Sequence, residues 1–416
     1  MRFSSLQTFT RGTDQMISLS SQVNKTQEQI SSGTRLLTAS EDPVASSQVF
    51  KLEQEGRVRE QYTDNITLLN TRLELEEAAL SSVNDILIRV KELTIQGNNG
   101  SLSITDREAI VAELSVRQEE MADLMNTRDA SGEYLFAGFK GSTQPFVDNG
   151  VGNYSYHGDE GQRFIQVASS TRVSSNDAGK TVFVDVDSAQ PTFRTSENPN
   201  NRANPPALIS AGLVRDQEAF NEVYPEDFII EFQNPDDMLL IGQPAGLNYN
   251  VIQKSDGRVV ESNVAFSESV SVEFSGIELT IAGSPSIGDT YMVESTDNQD
   301  ILTTLSRLID GMSNLTLSAD DQETYQQLMS DSLVNVDNAQ TSVLEVRAEI
   351  GARMNTLETT QELHEEVDVI SVGLISSLKD LDYAEAVSQL TFESFVLQAA
   401  QQSYAKISGL SLFNSI

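Results

Sequence analysis

Residues 29–43 read Gln29-Ile30-Ser31-Ser32-Gly33-Thr34-Arg35-Leu36-Leu37-Thr38-Ala39-Ser40-Glu41-Asp42-Pro43, a helix end, a short linker and a helix start. Gly33 can take the left-handed backbone that closes a helix. Asp42 can cap the next one, and Pro43 suits its first position, where the missing N–H would have no partner anyway. Upstream, from near Ser4 to near Ser31, Phe9, Thr13, Met16, Ser20, Val23, Gln27 and Ile30 alternate in 4-3 spacing. Phe9, Met16, Val23 and Ile30 recur every seventh residue, as in a coiled-coil seam, but their alternates are small or polar. That helix is weakly self-sufficient. Downstream, a helix to about Gln96 carries a richer seam: Tyr62, Ile66, Leu69, Leu73, Glu76, Leu80, Val83, Leu87 and Val90. Gly97-Asn98-Asn99-Gly100 breaks it. A third helix begins at Thr105 or Asp106, with Ile110, Leu114, Val116, Met121 and Leu124 as its apolar positions, and ends before Ser131-Gly132.

The other end of the chain repeats this grammar. Over 320–370, Met329, Ser332, Val336, Ala339, Val343, Val346, Ile350, Arg353, Leu357, Thr360, His364 and Val367 keep the 4-3 spacing. Farther on, Tyr383, Leu390, Leu397 and Tyr404 recur every seventh residue beside Val387, Ser394, Gln401 and Ser408. A large residue followed by a soft polar one copies the first helix, so the two ends read as partners.

The middle, about 145–295, changes period. Eight of the ten prolines lie between Pro145 and Pro244. Thr181-Val182-Phe183-Val184-Asp185-Val186-Asp187 reads as a strand with valines on one face and acids on the other. Val270, Val272 and Phe274, then Ser275-Gly276, then Ile277, Leu279 and Ile281 read as a hairpin. Its register sets Glu273 opposite Glu278, a like-charge conflict that a bulge or longer loop would relieve. The fold class expected is α+β: a long antiparallel helical rod or coiled coil formed by both chain ends, with an inserted antiparallel β domain. Three domains are expected: 1–43 with 372–416, 44–144 with 296–371, and 145–295. Both termini then lie at one end of the rod and the β domain at the other.

Composition narrows the chemistry. The chain has 416 residues and a net charge of −35, from 27 basic and 62 acidic side chains. Such a surface repels nucleic acid, whose every phosphate contact needs a cation. The first forty residues escape this excess, with Arg2, Arg11, Lys25 and Arg35 against Asp14 and Glu28. Cysteine is absent, which removes disulfides and thiolate chemistry. The opening Met1-Arg2-Phe3-Ser4-Ser5-Leu6-Gln7 lacks the apolar core of a secretory signal, and no run approaches the roughly 20 apolar residues that span a bilayer. No membrane insertion is expected.

The candidate sites for chemistry all have simpler readings. Gly150-Val151-Gly152 lacks the strand–turn–helix context of a dinucleotide loop, and Gly138-Phe139-Lys140-Gly141-Ser142 lacks phosphate-loop spacing. His364-Glu365-Glu366 lacks the second histidine of a zinc protease helix, and His364 falls on the helical seam. His157 reads as a turn or strand residue. Asp185 and Asp187 read as solvated acids on a strand face. No catalytic residue, metal or cofactor is expected, and the protein does not read as an enzyme.

Two segments carry a resemblance. Residues 29–43 stand at one end. At the other stand Ala384-Glu385-Ala386-Val387-Ser388-Gln389-Leu390, Leu397-Gln398-Ala399-Ala400 and Lys406-Ile407-Ser408-Gly409-Leu410-Ser411-Leu412-Phe413. In this order they resemble the terminal signatures of the bacterial flagellin family. Gly351-Ala352-Arg353-Met354-Asn355 and Leu357-Glu358 match a helix segment shared across it. Met1-Arg2-Phe3-Ser4 and Gly132-Glu133-Tyr134-Leu135-Phe136-Ala137-Gly138, with Pro145-Phe146, are more similar to the branch that joins hook to filament than to flagellins. Phe3 departs from a commonly aliphatic position. The likeness covers about 1–146 and 300–416, and the β domain carries no family motif.

The resemblance implies a structural part of the bacterial flagellum, exported through the flagellar secretion channel without a cleavable signal. It implies as partners identical copies in a ring, flagellin, the hook-side junction protein, and an export chaperone. The assembly interface expected is Phe9, Met16, Val23, Ile30, Tyr383, Leu390, Leu397, Tyr404, Leu410, Leu412 and Phe413. The rival reading is a flagellin or flagellin-like filament subunit.

Overall fold

The structure is a computed structural model that describes residues 5–413 apart from 101, 234–245, 269 and 316–317. Three helices open the chain: α1 (Ser5–Ser32), α2 (Pro43–Gly97) and α3 (Ile104–Met125). Then come β1 (Phe146–Asp148), β2 (Tyr154–Tyr156), β3 (Phe164–Gln166), β4 (Arg172–Ser174), β5 (Asp187–Glu197), β6 (Leu208–Ile209), β7 (Leu213–Val214) and the short α4 (Gln217–Val223). The strands continue as β8 (Phe228–Gln233), β9 (Asn248–Gln253), β10 (Val259–Ala265), β11 (Val272–Phe274), β12 (Ile277–Leu279), β13 (Ile281–Ala282) and β14 (Thr290–Asn298). Helices α5 (Ile301–Asn314), α6 (Ala319–Lys379) and α7 (Tyr383–Phe413) close it. The architecture is α+β, terminal helices around an inserted antiparallel β region.

Local chemistry places the helix ends. The Asp42 carboxylate accepts from the Ala45 N–H at 3.0 Å, capping α2 behind Pro43. Helix α3 starts a residue earlier than the sequence suggests. Ser103 is its cap, and Asp106 returns the bond from the third position, a reciprocal capping box. Asp300 caps α5 by accepting from the Thr303 N–H at 2.6 Å.

The chain packs as two compact units, residues up to Asn65 with those from Glu358, and residues 66–357. The second unit holds two apolar cores. One gathers the α2 seam from Ile66 to Val90, α3, α5, and α6 from Tyr325 to Leu357. Residues 146–186 join this helical core rather than the main sheet, with Phe136, Phe146 and Phe183 meeting edge-on at 5.0 and 5.8 Å.

That packing overturns the strand expected at 181–187. Lys180–Val184 instead winds into a π-helical turn, closed by the Asp185 N–H on the Lys180 carbonyl at 2.8 Å, and β5 begins only at Asp187. A period-two strand would put Phe183 on the solvent face with the acids; winding the backbone buries it beside Val182 and Val184. Two further residues expected to be apolar contacts point to water: Val116 is 56% exposed and Val270 61%. On α3 the buried place goes to Gln118, whose amide donates to the Leu302 carbonyl at 3.1 Å and the Ser306 hydroxyl at 2.6 Å.

The second core lies on a five-stranded antiparallel sheet in the order β10-β9-β8-β14-β5. Alternation along β8 sends Phe228, Ile230 and Phe232 to one face, with Tyr249, Val251, Tyr291 and Val293 from its neighbours. The β11–β12 hairpin and Phe220 of α4 complete this core. The hairpin register is the one expected, and Glu273 does stand opposite Glu278. Ser275 and Gly276 both take positive φ, 47° and 78°, as a tight two-residue turn demands. No bulge relieves the acidic pair; Arg215 answers Glu278 at 2.8 Å.

Two buried charges hold this unit's layers. Arg307 of α5 donates to the Phe193 carbonyl at 2.8 Å, the Gly212 carbonyl at 3.0 Å and Gln299 at 2.6 Å, and also bonds Thr192. Glu76, on the α2 seam, is fully buried and accepts from the Asp177 N–H at 3.1 Å, while its other oxygen has no partner among the described residues. Arg353 grips Asp177 with both prongs, at 2.7 and 2.9 Å. Burial first, then the Asp177 charge, push the Glu76 carboxyl up to about 8.

Candidate assembly surface

The terminal unit is built from α1, the first part of α2, the last part of α6, and α7. Gly33, at φ +72°, ends α1. The Leu381 N–H then donates to the Gly33 carbonyl at 3.1 Å, and the Arg35 N–H to Lys379 at 2.8 Å. The break between α1 and α2 is thus clasped to the break between α6 and α7. Behind the clasp, Arg59 bonds Asp368 at 2.5 Å and Ser371 at 3.0 Å, and Tyr62 stacks on His364 at 5.8 Å. His364 is the packed seam histidine its spacing suggests.

Helices α1 and α7 run antiparallel, Gly12 beside Tyr404, Thr26 beside Glu393 and Gly33 beside Tyr383. A side chain at Gly12 would meet the Tyr404 ring at 3.0 Å, so the glycine is what lets the ring lie on the α1 backbone. The centre of the pair is polar: buried Thr26 donates its hydroxyl to Glu393 at 2.8 Å.

Met16, Val23 and Ile30 are half-buried on α1, and Leu390, Leu397 and Tyr404 are half-buried on α7. The alternates differ from those the spacing suggests. Leu19 and Thr26 turn inward in α1 while Ser20 and Gln27 stay exposed; in α7, Glu393 and Ala400 turn inward while Ser394 and Gln401 stay exposed. In both helices the second seam position sits one residue earlier than the spacing suggests, which half-buries Leu19 and leaves Ser20 hydrated. Tyr383 remains 54% exposed. The Phe9, Leu410, Leu412 and Phe413 side chains lie outside the described residues.

What this unit lacks is a core. Its buried apolar residues are Ala45, Val49 and Ala386, among the described residues, and it contributes to neither apolar cluster. Its large apolar residues face solvent instead: Phe50 63%, Val369 74%, Phe392 67% and Phe395 69% exposed, with Ile370, Val372 and Val387 similar. The sequence signal for Phe392 and Phe395 is a large residue off the 4-3 seam. Val369, Ile370 and Val372 carry the same signal on α6 and were missed. Thin seams and apolar outer faces together are the pattern of a surface made for contact with further helices.

Among the described residues no cluster of three or more His, Asp or Glu side chains is placed to hold a metal ion, and no helix is long and apolar enough to cross a membrane. Gly150 and Gly152 take positive φ in the β1–β2 connection, and His157 is an exposed loop residue.

Comparison with known proteins bears on this surface. Residues 10–140 match the bacterial flagellin N-terminal helical region, and residues 333–414 the bacterial flagellin C-terminal helical region, together just over half of the chain. Flagellar hook-associated protein 3 of Escherichia coli (strain K12) is 23% identical over 413 residues, 99% of each chain. Its namesake in Salmonella typhimurium is 33% identical over 156 residues, 38% of this chain and 48% of that one. The crystal structure of flagellar hook-associated protein 3 from Legionella pneumophila is 28% identical with a TM-score of 0.53, covering 79% of this chain and 98% of that one.

Proposed function

The chain belongs to the bacterial flagellin family, and from that premise we propose that it joins the hook-side adaptor to the flagellin filament as a structural component of the bacterial flagellum. The observation that carries this reading is the coreless terminal unit. Its helices keep apolar faces that only further helices can cover, so the monomer is one part of a wall. Burying a Phe or Val side chain is worth about 1.5–3 kcal/mol, and several such residues per copy supply the drive for assembly. A match to hook-associated protein 3 along 99% of both chains favours the junction over the filament; Flagellin B of Vibrio cholerae matches 29% of this chain.

In this reading identical copies form a ring, with flagellin on one side and the hook-associated adaptor on the other. Export runs through the flagellar secretion channel, with a chaperone holding the C-terminal region. The interface consists of Phe9, Met16, Val23, Ile30, Tyr383, Leu390, Leu397, Tyr404, Leu410, Leu412 and Phe413, joined by Phe50, Val369, Phe392 and Phe395. Functionally the chain divides into a terminal packing domain, a helical stem and the β domain at 145–295.

The test is complementation of a flagellated strain lacking this protein. Wild type restores filaments; Leu397→Asp, which puts a charge where apolar contact is needed at a cost of several kcal/mol, leaves hooks bare and flagellin in the medium. Melting of the 66–357 unit stays unchanged. Normal filaments with the variant would remove the assignment. Purified protein that extends a filament indefinitely by itself would make it a flagellin instead.

A further inference from the structure

Strand β5 carries Arg194 to a cleft of about 630 Å³ whose lining includes the rings of Phe146, Tyr154 and Tyr156. The other charges that line it are already committed. Asp159 accepts from the Phe139 and Gly161 N–H groups at 2.7 and 2.9 Å. Lys180 is paired with Glu160. Asp300 caps α5. Among the described residues Arg194, half-buried, forms no ion pair and no side-chain hydrogen bond; its charge acts on the buried Asp300 without contact, and its cross-strand neighbour Glu294 turns to Lys254 at 3.2 Å. In a chain where acids outnumber bases 62 to 27, a half-buried guanidinium that no carboxylate has taken is an open valence.

We propose that this cleft is a carboxylate-binding site, with the Arg194 fork taking the carboxylate and the three rings receiving the apolar body attached to it. A planar guanidinium offers paired N–H donors that match a carboxylate in two-pronged geometry. Phosphate shares that geometry, but its second charge would meet Asp159, Glu160 and Asp300 in the same cleft; a monoanion meets them once. The Tyr156 hydroxyl is spent on the Phe136 and Asp159 carbonyls, at 2.9 and 3.0 Å, whereas the Tyr154 hydroxyl has no partner among the described residues and can add a donor. The carboxylate can come from an acidic side chain of a second copy of this chain or from a small organic acid.

The test uses the full chain with isotope-labelled arginine side chains, titrated with benzoate, acetylglutamate amide and inorganic phosphate. Expected is a saturable shift of the Arg194 signal with both carboxylates, at least about tenfold tighter than with phosphate. Arg194→Gln weakens benzoate binding at least about tenfold, the loss of a charge-assisted bond. Arg194→Lys, which keeps the charge without the fork, falls between. Arg172→Gln, at an exposed arginine on β4, changes nothing. Sedimentation at low salt separates the two sources. If a second copy supplies the carboxylate, Arg194→Gln weakens self-association and benzoate competes with it; if a small acid does, self-association is unmoved while benzoate binding is lost. No saturable shift, equal or tighter phosphate binding, or equal effects of the Arg194→Gln and Arg172→Gln variants would overturn the site.

Discussion

At the scale of the residue, two buried charges make opposite predictions. Glu76 titrates near 8 in the fold but at about 4.3 in an unfolded chain. Between those values the folded state holds a proton that the unfolded state has released, so stability falls as pH rises through that window. The cost is absent below it and fully present above it. Glu76→Gln, which keeps an acceptor for the Asp177 N–H, is therefore expected to match wild type near pH 4.5 and exceed it by about 2–4 kcal/mol at pH 8. Denaturant unfolding at the two pH values checks this, and an equal gap at both would refute it. Arg307 works the other way. Burial lowers its pKa to about 10, leaving it charged at neutral pH, and its bonds reach three backbone carbonyls, Gln299 and Thr192. Arg307→Ala strands those acceptors and is expected to cost about 3–5 kcal/mol, read as a lowered thermal midpoint.

Elements differ in how firmly their own contacts hold them. Helices α1 and α7 meet along half-buried positions around a polar Thr26–Glu393 centre, whereas α2 buries Ile66, Leu69, Leu73, Leu80 and Leu87 completely. Ordering a residue costs about 1–2 kcal/mol, which the thinner seam repays poorly. Hydrogen exchange on dilute monomer is expected to be fast in 5–32 and 383–413 and slow in 66–97 and 325–357. Strong protection of 10–30 would contradict it. The same contrast explains what could be read beforehand. The Gly33 stop, the Asp42-Pro43 start and the α2 and α6 seams are local patterns, legible without a partner. The choice of Leu19 over Ser20 depends on how α7 is rotated, and the turn at 180–184 depends on Phe136 and Phe146, distant in sequence. Glu273 opposite Glu278 was legible as a conflict, but its answer, Arg215, comes from another segment. The proposed assembly surface draws on the helices at the two ends of the chain, where the heptad spacing is visible in the sequence. Its α6 portion, Val369, Ile370 and Val372, lies off the 4-3 spacing, so the heptad pattern does not mark it.

For the molecule as a whole, the inserted region has a single doorway. Strand β5 begins at Asp187 and β14 ends at Asn298, and these two residues are paired across the sheet. Antiparallel partners stand about 4.5–5.5 Å apart, close enough for a tight turn to bridge. Replacing residues 189–296 by Asn-Gly is expected to leave export and terminal-helix packing intact, with weaker junctions under shear. Loss of both secretion and filament attachment would show that the sheet belongs to the joint. That doorway also has a meaning for descent. Breakpoints at the codons for Asp187 and Asn298 exchange one entire sheet for another, of any length, through the same pair of strand ends, and only the helical side chains that bond into it, such as Arg307 on α5 and Asn335 on α6, must be matched anew. A gene built this way can diversify by cassette: the interior turns over by recombination while the terminal helices drift only by point substitution.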